Sequence, residues 1–420
     1  MEQTNSIILN KKLSWFEQKC KKLVLSTLNK LTDACVEIHE NGYSELYGNP
    51  AASLKGHMHI HDSSIYVDLI KGGSIAAAEG YLAQKWTSQN LTQLIRVFAR
   101  SQKVLDEVEA KNSWFTTLQN KLLNLRNANT INGAKKNILA HYDLGNDLYT
   151  RFLDPEMMYS CAIYSEESTD LAQAQQQKLK TICDKLNLTT SDHLIEIGTG
   201  WGGLAIYAAT HYGCKVTTTT ISDAQYAYAQ TRVNALGLQK QITLLKKDYR
   251  LLEGTYDKLV SIEMIEAVGH KYMGEFFKQC NNLLKPNGKM LLQAITIADQ
   301  RYDIYRKSTD FIQKYIFPGG CLPSVTVINQ HIAQSTDMMV DNITDIGLHY
   351  ARTLDDWRKR FDKNWSDIQP FGFDDQFKRL WHYYLAYCEG AFIERVISTH
   401  HIVARKPEYK DIQDENILNY

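Results

Sequence analysis

Four residues in the stretch HLIEIGTGWGGLA, residues 193–205, have the types and spacing to hold a cofactor: Glu196, Gly198, Gly200 and Gly202. Glycines at alternate positions let backbone turn tightly and lie against a ligand, because no β-carbon intervenes. The stretch supports two chemistries. Gly198, Gly200 and Gly203 fit a dinucleotide fingerprint, in which helix-start amides bind pyrophosphate and a hydride moves. Glu196 followed by Gly198, Gly200 and Gly202 fits an acidic-glycine loop for S-adenosylmethionine, and then a methyl group moves. That ligand has no phosphate; it needs a carboxylate near its ammonium, which Glu196 can meet directly or by supporting the loop. Asp223 keeps the dinucleotide reading open, since an acid about 20 residues past the glycines can hold a ribose. A glycine-rich turn with no ligand is the third reading.

These residues need a strand before them and a helix behind. From Thr190 onward, short apolar runs alternate with helical stretches, the pattern of a parallel, doubly wound α/β sheet. The strand candidates are 193–198, 215–222, 241–248, 256–263 and 288–297, with two more near 339–347 and 400–406 around a long helix at about 374–396. That ending suits a seven-stranded, Rossmann-like methyltransferase sheet. Residues 298–338 match no regular element and are too long for an idle loop, so they read as a cap over the site. Ahead of the catalytic domain, 141–420, the segment 14–39 reads as one amphipathic helix ending before Gly42, and Gly72-Gly73 opens an alanine-rich helix. Residues 1–110 therefore form a small helical or α+β domain, and the asparagine-rich stretch 111–140 is a linker with one helical piece.

Composition narrows the partners. Lys+Arg and Asp+Glu both number 47 in the 420 residues, so no net field draws the chain onto nucleic acid. The eight cysteines include no C-x-x-C pair, which argues against a zinc site. No apolar run reaches the roughly 18 residues a membrane span needs, and the start lacks the pattern of a signal peptide, so an intracellular, non-spanning protein is expected.

Further motifs stand around the loop: NILAHYDLGNDLYTRFLDPEMMYSCAIY (137–164), DYR (248–250), VSIEMIEAVGHKYMGEFF (260–277), KYIFPGGCLPS (314–324) and HYARTLDDW (349–357). Together they closely resemble the cyclopropane fatty acid synthases, S-adenosylmethionine-dependent enzymes that methylenate double bonds in phospholipid acyl chains. The resemblance is strong over 137–406, while GGSIAAAEGYLAQKW resembles that family's lipid-associated amino-terminal domain more weakly. It implies cofactor contacts at Tyr159, Ser160, Glu196, Gly198, Gly200, Trp201, Thr220, Ser222, Gln225, Tyr249 and Arg250. Strand propensity alone accounts for Thr217 to Thr219, and Trp201 has a plain packing role as its alternative.

The resemblance also implies a mechanism. An alkene that attacks a sulfonium methyl leaves a carbocation, so the site must be dry, and a base must remove a proton for the ring to close. In the family that base is bound bicarbonate, whose implied holders here are the Cys161 main chain, Glu266, the Ile295 backbone and Tyr350. The family's LLHTIG reads LLQAIT at 291–296, so Gln293 replaces a histidine and cannot become cationic. The implied setting is cytoplasmic and peripheral on the inner face of the membrane, with unsaturated phospholipids as substrate and a homodimer left open. A fatty-acyl methyltransferase making a methyl-branched or methylene product is the alternative.

Overall fold

The computed structural model describes residues 13–104, 145–166 and 170–410. The chain divides into two compact units, Met1–Thr116 and Thr117–Tyr420. The expected linker at 111–140, and the start of the motif at 137, lie outside the described residues.

In the first unit a helix, Trp15–Leu28, starts on a capping box in which Ser14 and Glu17 satisfy each other's backbone amides. The helix expected to run to residue 39 stops here. Cys35–Glu40 is instead a strand, β1, in which Val36 and Ile38 bury one face and Cys35 the other. Asn41 and Gly42, both at positive φ, fold β1 back onto β2, Tyr43–Gly48, as a two-residue hairpin. Strands β3, Lys55–Ile60, and β4, Trp86–Thr87, complete a sheet in the order β2-β1-β3-β4. The alanine-rich helix, Ile65–Leu82, bends at Gly73, whose φ of 54° breaks the helical run.

The second unit is built on a seven-stranded sheet: β5 His193–Ile197, β6 Lys215–Thr220, β7 Ile242–Lys246, β8 Tyr256–Ile262, β9 Leu284–Ile297, β10 Met339–Asp345 and β11 Ile397–Arg405. Their spatial order is β10-β11-β9-β8-β5-β6-β7. Strands β5 to β9 run parallel, and β11 runs antiparallel between β9 and β10. The fold is thus a Rossmann-like class I methyltransferase α/β sheet with a small amino-terminal unit. Ile195, Leu259 and Leu292 pack one face of the sheet against the helix Met273–Leu283. Leu194, Val260 and Leu291 pack the other against Leu171–Leu186 and Gly203–Tyr212. The order reverses between β5 and β8, and the crevice at the carboxyl ends of these two strands is where an open α/β sheet holds its ligand. Residues 298–338 are more regular than expected, with helices at Asp299–Tyr305, Phe311–Tyr315 and Val325–Ser335. Ser324 and Asp310 cap two of them through their side chains, a local signal in the sequence.

Candidate active site

The glycine loop leaves β5 with Gly198, Gly200 and Gly202 all at positive φ, 103°, 53° and 90°. Two amides of the loop, Gly198 and Thr199, donate to the carbonyl of Thr219 on β6. A β-carbon on Gly200 would meet nothing within 4 Å, so the loop has open space above it for a ligand. Glu196 is buried and turned into the sheet, where it accepts a hydrogen bond from Thr218 at 2.5 Å. Thr218 in turn meets Thr199 at 2.7 Å. Glu196 therefore supports the loop from beneath, and Thr218 carries wiring that strand propensity alone does not predict. Burial pushes the Glu196 carboxyl up to about 8.

Trp201 is buried, donates from its indole to Asn146 at 2.8 Å, and packs at a tilt against Tyr149. At the end of β6, Thr220 donates to Gln225, and Ser222 caps the helix Asp223–Ala235 by accepting from the Gln225 amide. Tyr249 and Arg250 follow β7; the guanidinium lies over the Tyr249 ring and holds both oxygens of Asp248. Tyr159, Gly198, Gly200, Tyr249 and Arg250 are half-buried, while Trp201, Thr220, Ser222 and Gln225 are buried.

The second constellation lies at the carboxyl ends of β8 and β9, among Cys161, Glu266, Gln293, Ile295 and Tyr350. Glu266 accepts from the Ile295 amide at 2.5 Å, while its other oxygen is buried without a partner among the described residues. The remaining groups converge on a residue that sequence reasoning passed over, Glu263. One of its oxygens accepts from the Cys161 amide at 3.0 Å and the Gln293 amide at 2.7 Å; the other accepts from the Tyr350 hydroxyl at 2.7 Å. Glu263 and Glu266 lie deep in the fold yet keep some accessible surface, as side chains lining an interior cleft do. Burial raises both carboxyls, Glu266 to about 8, with the neighbouring Glu263 charge adding to it. The residues present do not fit a bound bicarbonate. Cys161, Gln293 and Tyr350 are already spent on the Glu263 carboxylate, and a further anion placed there would meet that charge with little solvent screening.

Two more residues were missed. Lys178, wholly buried, donates to Ser160 at 2.8 Å, and burial lowers its ammonium to about 8 against the pull of Glu263 and other acids. Its setting in QQKLK carries no signal, since a lysine among glutamines reads as a solvated helix face. His401 on β11 donates to the side-chain amide oxygen of Gln293. Glu263 had one available signal, its place just past a parallel strand. His270 and His349 are satisfied elsewhere, by Tyr302 and the Tyr164 amide. Aromatic rings cluster beside Glu263: Tyr159 meets Tyr384 through their hydroxyls and stands 5.1 Å from Trp357, and Tyr350, which donates to Glu263, stacks on Phe392.

A doubly wound sheet with its reversed strand inserted beside the edge, and a glycine loop after its first parallel strand, define a class I S-adenosylmethionine-dependent methyltransferase. The chain belongs to the family described as mycolic acid cyclopropane synthetase, which it matches over residues 130–402. It is 34% identical to the cyclopropane-fatty-acyl-phospholipid synthase of Escherichia coli K12, over 89% of this chain and 97% of that one. It is 37% identical to the tuberculostearic acid methyltransferase UfaA1 of Mycobacterium tuberculosis, over 76% of each chain. Among solved structures, the mycolic acid cyclopropane synthase CmaA1 complexed with SAH and CTAB superposes with a TM-score of 0.61 at 28% identity, covering 65% of this chain and 98% of that one. The protein is accordingly a methyltransferase acting on lipid.

Proposed function

We propose that the protein is a cyclopropane-fatty-acyl-phospholipid synthase, adding a methylene unit across the cis double bond of phospholipid acyl chains. S-adenosylmethionine supplies the one-carbon unit as a sulfonium methyl. The observation that carries the reading is a deep acidic site, Glu263 with Glu266, beside the rings of Tyr159, Tyr350, Trp357 and Tyr384. Ring faces stabilise a nearby cation, and the carboxylate supplies the negative charge and proton acceptor that ring closure needs. The coverage of the Escherichia coli synthase along nearly its whole length supports the same substrate class.

The helix Trp15–Leu28 supports work at a membrane surface. Trp15, Phe16 and Leu23 are 69%, 51% and 44% exposed beside Lys19 and Lys22, the composition of an interfacial helix. No helix among the described residues is long and apolar enough to cross a membrane. Pairing of two subunits remains part of the proposal.

The second reading, a fatty-acyl methyltransferase with a methylene or methyl-branched product, draws support from the similarity to UfaA1 and from the altered base site. Expression in cells lacking the activity, with mass spectrometry of fatty-acid methyl esters, separates the two. Gain of one methylene unit with a cyclopropane fragmentation pattern is expected. A methyl branch or exocyclic methylene transfers the conclusion to the second reading, and unchanged lipids under good expression overturn both.

A further inference from the structure

The resemblance implies that the proton acceptor is a bicarbonate held by the Cys161 main chain, the Ile295 backbone, Glu266 and Tyr350, with a histidine where this chain has Gln293. Here three of these positions are turned to another partner. The Cys161 amide, the Gln293 side chain and the Tyr350 hydroxyl, which come from three separated segments, all donate to the carboxylate of Glu263. Both oxygens are engaged in charge-assisted hydrogen bonds of 2.7 to 3.0 Å.

The backbone is bent to make this possible. Glu263 sits at φ 48°, in the left-handed region that favours glycine, immediately after β8. A residue with a β-carbon pays of order 1 kcal/mol or more there, and such outliers persist where the surroundings over-determine them. The Glu263 amide also donates to the Gln293 carbonyl at 2.8 Å, so main chain and side chain are both tied to β9. The substitution at 293 fits the same arrangement. A histidine there would face a fixed carboxylate and form an ion pair; the Gln293 amide donates a hydrogen bond to it and brings no charge of its own.

We propose that the Glu263 side chain is the general base of this enzyme's reaction, taking the place of a bound bicarbonate and making turnover independent of that ion. This rests on the ring-forming reading above. In the step, the alkene π pair bonds to the methyl carbon, and the carbon–sulfur bond breaks with its electrons staying on sulfur as S-adenosylhomocysteine. A cation is left on the other alkene carbon. A Glu263 oxygen takes one proton from the transferred methyl, and the freed C–H pair closes the ring onto the cationic carbon. One alkene and one sulfonium thus give one cyclopropane, one thioether and one proton, which Glu263 passes to solvent. Glu266, 2.5 Å from the Ile295 amide, borders the same site and sets its electrostatics without being the acceptor.

The test compares wild type, Glu263→Gln and Glu263→Gly in carbon-dioxide-free buffer with and without added bicarbonate. Thermal melting and S-adenosylmethionine binding check that each variant is folded. Wild type is expected to turn over equally in both buffers. Glu263→Gln, which keeps the shape without the basicity, should lose about 100-fold or more in either buffer. Glu263→Gly relieves the backbone and vacates the carboxylate's place, so its activity should be low without bicarbonate and rise at least about tenfold with it. A second arm needs no turnover: titration of labelled bicarbonate into the S-adenosylhomocysteine complex, followed by carbon NMR, should show binding to Glu263→Gly and none to wild type. If the wild-type protein modifies no lipid, the function reading fails and this binding arm still decides the base-site assignment. Wild-type activity that falls without bicarbonate and returns with it, or bicarbonate binding to the wild-type complex, overturns the proposal.

Discussion

His401 and Gln293 meet across the pairing of β11 with β9, with the imidazole Nε2 2.9 Å from the amide Oε1. An amide oxygen only accepts, so Nε2 carries the proton, and the amide nitrogen is left pointing at Glu263. Burial lowers the His401 ring to about 3, with Lys185 and Lys178 adding to it, so the imidazole is neutral throughout the working range. Its other nitrogen has no partner among the described residues, which fits a ring retained for one hydrogen bond.

Replacing His401 with leucine should therefore free the Gln293 amide to flip. Losing a buried hydrogen bond of this kind costs about 1 to 3 kcal/mol, and about a tenfold fall in kcat is expected. The KM for S-adenosylmethionine should stay put, because neither residue touches the glycine loop. Steady-state kinetics that show the reverse split would reject the relay from His401 to Glu263.

Glu266 predicts how stability depends on pH. Its carboxyl ionises near 8 in the folded protein and near 4.5 in the unfolded chain. Between those values the folded state holds a proton that the unfolded state has released, so stability falls as pH rises through the window, by at most about 1.4 kcal/mol per pH unit. Glu266→Gln imitates the protonated acid and should flatten that slope. Urea unfolding of both proteins across the window checks it; parallel pH dependences would show that Glu266 is ionised in the native fold.

Much of the catalytic unit was legible because its signals are local. Short apolar runs marked all seven strands, and the glycines of 198–202 marked the turn. The amino-terminal helix was drawn too long because Cys35, Val36 and Ile38 continue an apolar pattern that helix and strand share, and the Asn41-Gly42 hairpin signal was passed over. Glu263, Lys178 and His401 were illegible for another reason. Each takes its role from partners more than a hundred residues away or from deep burial, and Glu263 also from a backbone angle that its residue type disfavours. No periodicity records such long-range convergence.

Two glycines of the loop should respond differently to alanine. At Gly203 a β-carbon would lie 2.5 Å from the Met158 sulfur and 2.9 Å from the Glu156 carbonyl, so the segment leading to Tyr159 and Ser160 must shift. Gly203→Ala should cost about 1 to 3 kcal/mol of stability and weaken S-adenosylmethionine binding with it. At Gly200 the β-carbon enters open space, with only the positive φ to strain it. Gly200→Ala should weaken cofactor binding while lowering stability by only about 1 kcal/mol. Calorimetric binding beside thermal melting separates the two; equal effects at both positions would count against the crevice above Gly200 as the cofactor's place.

The exposed Trp15 and Phe16 make the first helix a membrane contact under the proposed function. Changing both to serine should lower binding to phosphatidylglycerol vesicles several-fold and leave S-adenosylmethionine affinity unchanged. Co-sedimentation measures the first and calorimetry the second. Full vesicle binding by the double variant would move the lipid contact to another part of the chain.

Lys178 supplies the last test, through the pH dependence of the reaction itself. It is a wholly buried ammonium under Ser160, and Glu263 is the largest of the acids that hold its proton on. The interaction is mutual: the same positive charge opposes the burial that raises the Glu263 carboxyl. Methionine at 178 fills similar volume without charge, so Glu263 would lose this support and hold its proton to higher pH. A general base works only when ionised, so the acidic limb of kcat against pH should move upward in Lys178→Met. At its alkaline end the wild-type profile should fall as Lys178 loses its proton near 8, and that limb should vanish in the variant. The sign follows from the charges alone: removing a cation raises a neighbouring acid, whatever the size of the shift. An unmoved acidic limb in a variant that still binds S-adenosylmethionine would mean that Lys178 only packs beneath Ser160 and that the charge on Glu263 is balanced by other groups.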